Sequence, residues 1–479
     1  MKTFATVAAL CVSMAQAACE ADHARFPTFS EAIGQFEYDW EPHTTTTEDG
    51  YVLTMFRLAG PIGNFPVHRT ASQSVLIMPG LGMSADSWFP APEHGEPMPI
   101  QLYESGYDVW LGNNRGTFHS ITHTHHHHEH DAEAYWNWSF AEMGMHDVPA
   151  MLKQIKYTIN QQVEDPHILH TDKIIYIGYD QGATQILYGL SYLEDSFYKD
   201  YLRGAILLAP CTKMNVLQGS MGYHYYADLV NNIDLIGLYG MHGLNREQFK
   251  PDVCAHLGRQ WCDQEIVWRE EPYSARALTH FFQNGIEGRF QEFADNYLQG
   301  KEHRQTADIP IQNISHVPIA VMYGDADRVC PMDSVEWMMS RIGHMVYGNY
   351  QFGGYDHADF GHANDSVFMG ELHEALSHLQ PHEFLHEREL QFRADLDHAL
   401  EHEYQHEYEM DQEHLRDIEL GLAYASEYEF DSADLAYETP IVETSEAEEI
   451  LPSWRDDHSY AGFDLRDHNN DIPDGHYLQ

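Results

Sequence analysis

Five short apolar runs punctuate the first four-fifths of the chain: Ser74-Val-Leu-Ile-Met78, Tyr107-Asp-Val-Trp-Leu111, Lys173-Ile-Ile-Tyr-Ile-Gly178, Gly204-Ala-Ile-Leu-Leu-Ala209 and Pro318-Ile-Ala-Val-Met-Tyr323. Each has the length of a strand, and most are bounded by Gly or Pro. Their near-continuous hydrophobicity is that of strands buried on both faces. Between them Asp147–Asn160 and Gln181–Glu194 carry helical spacing. Strand–helix alternation of this kind predicts an α/β fold built on a mostly parallel central sheet. From Thr212 to His303 no such strand occurs, and the segment is rich in Tyr, Trp and helical spacing. It reads as a helical cap inserted over the C-terminal edge of the sheet.

The pattern changes at both ends. Lys2, the apolar stretch Phe4–Met14 and the small-residue triplet Ala15-Gln16-Ala17 have the order of a secretory signal, so residues 1–18 are expected to be removed on export. The apolar stretch is too short to span a bilayer, and no later one approaches the length required. The main domain then runs over residues 19–379, with the cap at about 212–303. Residues 380–479 read as an acidic tail, helical in part over His382–Leu420 and without periodicity beyond.

Charge sharpens that boundary. The chain carries a formal net charge of −49. Residues 381–479 hold 28 Asp and Glu against five Arg and no Lys, a net of −23. Nucleic acid and anionic membrane surfaces would repel such a molecule and are not expected partners. The tail is instead a candidate surface for a protein partner.

Of six cysteines, Cys11 lies in the signal, leaving Cys19, Cys211, Cys254, Cys262 and Cys330. Export permits disulfides, and Cys254 and Cys262 are close enough to staple one loop. No finger-type Cys/His spacing occurs, so no structural zinc is expected, and no motif calls for a cofactor. One run places six histidines, His123, His125, His126, His127, His128 and His130, within eight residues. Consecutive imidazoles do not define one coordination geometry, so the run reads as a solvated loop although it could attract Zn²⁺ or Cu²⁺. Asn137, Asn313 and Asn364 open glycosylation sequons, the first inside a block expected to be buried.

The chemical signal is Gly178-Tyr-Asp-Gln-Gly182, placed directly after one strand and before a helical pattern. That is the position of a nucleophile elbow, a sharp strand-to-helix turn that exposes one side chain. Here the exposed residue is Asp180. Two further pieces follow in the order acid, then histidine: Tyr323-Gly-Asp-Ala-Asp-Arg328 at a strand end, and Gly354-Tyr-Asp-His-Ala-Asp-Phe360 about thirty residues on. Singly such acids are more often turn or cap residues; their joint order is what carries information.

These blocks resemble the acid (gastric and lysosomal) lipase family of α/β hydrolases. Thr47-Glu-Asp-Gly-Tyr-Val-Leu53 is similar to that family's opening strand. Met78-Pro-Gly-Leu-Gly-Met-Ser84 is similar to its oxyanion loop, with Pro79 in place of histidine. Gly106–Gly116 and Tyr135–Met143 through Pro149 are similar to its two most distinctive blocks. The likeness runs from about Phe36 to Leu379, loosely over the cap and not into the tail. It implies a lipid or other apolar ester substrate, and a secreted or lysosome-like location. It also implies Asp180 at the nucleophile position, Asp327 as triad acid, His357 as triad base, and the N–H groups of Leu81 and Gln181 as oxyanion hole. Asp325 and Asp356 rank below their neighbours.

Asp180 stands where the family has serine. A carboxylate is a poor acyl nucleophile, because its tetrahedral adduct expels the carboxylate more readily than an alkoxide. Carboxylates attack sp³ carbon well, as in epoxide hydrolases and haloalkane dehalogenases, which share the fold. Tyr223, Tyr225, Tyr226 and Tyr239 in the cap are candidate proton donors for that route. Three readings follow: a lipid-ester hydrolase with weak or altered activity, an Asp-nucleophile hydrolase of epoxides or alkyl halides, and a lipid-binding pseudoenzyme.

Overall fold

The computed structural model describes residues 25–63, 72–162, 173–215, 240–241 and 271–380. The signal segment, most of the inserted cap with Tyr223, Tyr225, Tyr226, Tyr239 and the Cys254/Cys262 pair, and the tail from residue 381 lie outside the described residues.

Among the described residues nine strands form one sheet: β1 (Tyr38–Thr46), β2 (Tyr51–Pro61), β3 (Ser74–Met78), β4 (Asp108–Gly112), β5 (Thr122–His123), β6 (Ile174–Tyr179), β7 (Leu202–Leu208), β8 (Ile319–Gly324) and β9 (Val346–Phe352). Their order is β1-β2-β4-β3-β6-β7-β8-β9, with β5 added to β2. β1, β2 and β4 pair antiparallel, and from β4 to β9 every pairing is parallel. The five apolar runs are β3, β4, β6, β7 and β8, displaced by one or two residues at most. The end strands escaped that pattern for a physical reason. β9 is an edge strand of mixed exposure, Val-Tyr-Gly-Asn-Tyr-Gln-Phe, and shows no apolar run.

Alternate residues of each central strand enter two different cores. Leu76, Tyr176, Leu207 and Val321 face helices α3 (Val148–Gln162), α4 (Gln181–Leu193) and α5 (Met332–Ile342). Ile77, Ile177, Leu208 and Met322 face helices α1 (Pro27–Gly34), α2 (Met98–Glu104) and α6 (Ser366–His378). Both faces being covered is why these strands lack a polar side.

The two distinctive sequence blocks meet through buried charge. Arg115, which follows β4, donates from Nε to Asp147 at 2.8 Å and from Nη1 to Asp49 at 2.6 Å. Its guanidinium also lies 4.0 Å from the Tyr51 ring centroid. Asn137 is exposed, contrary to the expectation for its block, while its neighbours Trp136 and Trp138 are buried. A tight turn turns the asparagine outward between two inward indoles.

Candidate active site

The elbow is built by close approach of backbones. A Cβ on Gly178 would lie 2.5 Å from the Gly182 carbonyl, and one on Gly182 would lie 2.6 Å from the Met78 carbonyl oxygen. Only glycine lets β6 turn into α4 this tightly beside β3. Asp180 caps the turn at φ 51°, ψ −110°, a region that non-glycine residues rarely occupy. Its amide is held by the Leu208 carbonyl at 3.0 Å. The strained residue is therefore locked on both sides and aimed off the sheet edge.

The structure brings the three sequence-selected side chains together. His357 Nδ1 lies 2.7 Å from Asp327 Oδ2, and its Nε2 lies 3.3 Å from Asp180 Oδ1. The second oxygen of Asp180 accepts a 2.9 Å hydrogen bond from the Leu81 N–H. Gln181 is the first residue of α4, immediately after Asp180. Asp327 is oriented by the N–H groups of Val329 and Cys330, both donating to Oδ1 at 2.8 Å. Tyr179 donates its hydroxyl to the His357 carbonyl at 3.0 Å, fixing the histidine loop.

The two lower-ranked acids do other work. Asp325 accepts from the Gly354 N–H at 2.6 Å, and Asp356 accepts from the Ala358 N–H at 2.9 Å. Both are turn residues that shape the loops.

Burial alone would favour a neutral imidazole at His357. The charge of Asp327 and hydrogen bonds to Asp180 and Asp327 outweigh it, raising the ring to about 10. At neutral pH the site is thus an imidazolium clamped between two carboxylates. A charged ring cannot accept a proton, and Asp180 itself occupies the Leu81 N–H.

One support was not visible in the sequence. Cys211, just past β7, forms a disulfide with Cys330, with Cα atoms 5.1 Å apart and a separation of 119 positions in sequence. The bond ties the loop carrying Asp327 to the strand beside the elbow. The Cys211 carbonyl also accepts from Thr184 Oγ1 of α4 at 2.7 Å. Sequence spacing favours short-range pairs; only the parallel neighbourhood of β7 and β8 brings these two together.

Comparison with known proteins agrees with this architecture. Residues 73–359 match the alpha/beta hydrolase fold, and residues 29–91 match the partial alpha/beta-hydrolase lipase region. The chain belongs to the α/β hydrolase family. The gastric triacylglycerol lipase of Bos taurus is 25% identical over 371 residues, covering 70% of this chain and 87% of its own. Lipase 3 of Drosophila melanogaster is 27% identical, covering 66% of this chain and 83% of its own. Lipase member K of Mus musculus is 26% identical, covering 69% and 85%. Within the family these matches assign it to the acid lipases.

Proposed function

We propose that this protein is a lipid-ester hydrolase-like member of the acid lipases in which Asp180 takes the serine's place. In this reading Asp327 is the triad acid, His357 the triad base, and the Leu81 and Gln181 N–H groups the oxyanion hole. The substrate is a lipid or another apolar ester, met after export to the cell exterior or a lysosome-like compartment. The acidic segment 380–479 would serve a protein partner. The carrying observation is the line Asp327–His357–Asp180, at 2.7 and 3.3 Å, with the Leu81 N–H 2.9 Å from the far carboxylate oxygen. That is an acyl-transfer constellation lacking only the hydroxyl. Ester turnover is slow at neutral pH, because the ring is protonated and the carboxylate competes with the substrate carbonyl for Leu81.

The same hydrogen bond favours a second reading. With Oδ2 anchored on Leu81, Oδ1 is presented for attack on an sp³ carbon of an epoxide or alkyl halide. A C–O bond forms at the carboxylate while the epoxide C–O or carbon–halogen bond breaks, and the oxygen or halide leaves with the electron pair. Alkylation removes the Asp180 charge, so His357 loses one of the groups that hold its proton. The ring then becomes able to activate the water that cleaves the alkyl ester.

Both readings are tested by assaying wild type beside Asp180→Ser on p-nitrophenyl esters, triglyceride, cholesteryl ester and epoxides. Lipid-ester hydrolysis gained in Asp180→Ser supports the lipase site. Epoxide turnover by wild type that vanishes in Asp180→Ser supports the second reading. If wild type turns over none of these substrates and a folded Asp180→Ser protein is inert on every ester, the lipid-binding pseudoenzyme reading replaces both.

A further inference from the structure

Three groups of His, Cys, Asp and Glu among the described residues place their ligand atoms within 4.8 Å of one another. Two are committed elsewhere. Asp180, Cys330 and His357 are the site above, with the Cys330 sulfur in a disulfide. Asp86, His119 and Glu271 are buried and already paired, His119 Nε2 to Asp86 at 2.7 Å and Glu271 to the Phe118 N–H at 2.7 Å. The third, His127, Glu129 and His130, is exposed and lies in the histidine-rich loop.

We infer that His127, Glu129 and His130 form a binding site for a divalent transition-metal ion of the zinc or copper type. Two imidazoles and one carboxylate suit such ions, whereas Mg²⁺ and Ca²⁺ favour all-oxygen sites. Tetrahedral bonds of about 2.0–2.2 Å put ligand atoms roughly 3.3–3.5 Å apart. The present group needs only a small closure of exposed side chains to reach that. The His127 and His130 rings are already close neighbours, stacked with centroids 4.6 Å apart and planes 26° from parallel.

The loop backbone is built in advance of any ion. The Asp131 N–H donates to the His127 carbonyl at 2.9 Å, and the Asp131 carboxylate accepts from the His127 N–H at 3.1 Å. The Trp136 indole N–H donates to the His128 carbonyl at 2.9 Å. His123 is excluded from coordination by its own role. Its Nδ1 accepts from the His125 and His126 N–H groups at 3.0 and 2.9 Å, and its Nε2 lies 2.8 Å from the Asp49 carbonyl. Metal binding gives up one long bond, 3.2 Å from the Glu129 N–H to His127 Nδ1, and a 3.9 Å contact between Glu129 and His128. A net charge of −49 enriches cations around the molecule.

The test is calorimetric titration of the full-length, disulfide-intact protein with Zn²⁺, with Mg²⁺ as control, and Cu²⁺ electron paramagnetic resonance. The expected result is one saturable Zn²⁺ site, reversed by EDTA, absent for Mg²⁺ and lost in the double variant His127→Ala/His130→Ala. The variant His125→Ala/His126→Ala should keep it, and the Cu²⁺ spectrum should show coupling to two imidazole nitrogens. Unchanged Zn²⁺ binding in the first double variant, or its loss in the second instead, overturns the assignment.

Discussion

Asp180 carries two burdens, and a serine in its place would share only the first. Its backbone sits at φ 51° and its carboxylate faces a second buried acid across one imidazole. The backbone strain belongs to the elbow and would be there with any residue; the charge is particular to aspartate. It follows that His357 should titrate near 10, as read by its ring NMR resonances. Asp180→Ser removes one carboxylate and should lower that value, while Asp180→Asn should lower it without changing side-chain size. The sign for stability is that of a raised pKa. The stabilisation is complete below the unfolded value of about 6.5 and fades as pH rises towards 10. Any wild-type activity that needs neutral His357 should therefore climb across the same interval. An unchanged titration in Asp180→Asn would mean that Asp327 alone holds the proton.

Arg115 and Asp147 show how a loop and a helix start are locked together. Arg115 is 1% and Asp147 0% exposed in its side chain, so neither charge can be left unpaired cheaply. Burial pushes the Asp147 carboxyl up more than its arginine partner pulls it down. Asp147→Asn should cost about 3–5 kcal/mol in denaturant unfolding, the usual loss when one member of a buried pair is removed. Loss of less than about 1 kcal/mol would show that Asp49, which also reaches Arg115, carries the pair. Because this pair sits between β4 and the start of α3, its loss should lower stability with little effect on the His357 titration.

At the scale of the molecule, buried histidines pull stability in opposite directions with pH. His280 is pushed down to about 3 by burial, between the Ser139 hydroxyl and the Gln291 carbonyl at 3.0 and 2.8 Å. His362 is pushed down to about 4, by burial first and then by His94. Each contributes stability that is present above about 6.5 and lost as pH falls towards its folded value. His357 does the reverse on the alkaline side. Tm measured from pH 4 to 10 should accordingly fall on both flanks. His280→Gln should flatten the acid flank relative to wild type; an acid flank unchanged in that variant would remove His280 from the account. Among the described residues no helix is long and apolar enough to cross a membrane.

Period and order along the chain were enough to determine the central strands and the helices after β4 and β6, and to single out Asp180, Asp327 and His357, whose side chains the fold brings together. Strands covered on both faces must be continuously apolar, and a nucleophile elbow must join such a strand to a helix through glycines. Those constraints act locally, so Ile174–Gly182 displays them without help from the rest of the fold. What acts across distance was decided by tertiary structure alone. β9 is recognisable only because β8 pairs with it, and Cys211 meets Cys330 only because β7 and β8 are parallel neighbours. The occupation of the Leu81 donor by Asp180 depends on β3 and β6 lying side by side, which no spacing encodes. The histidine run is the same lesson in small. Eight residues of sequence leave six imidazoles equivalent, and the fold of the loop turns His123 to the backbone and gathers His127, Glu129 and His130 at the surface.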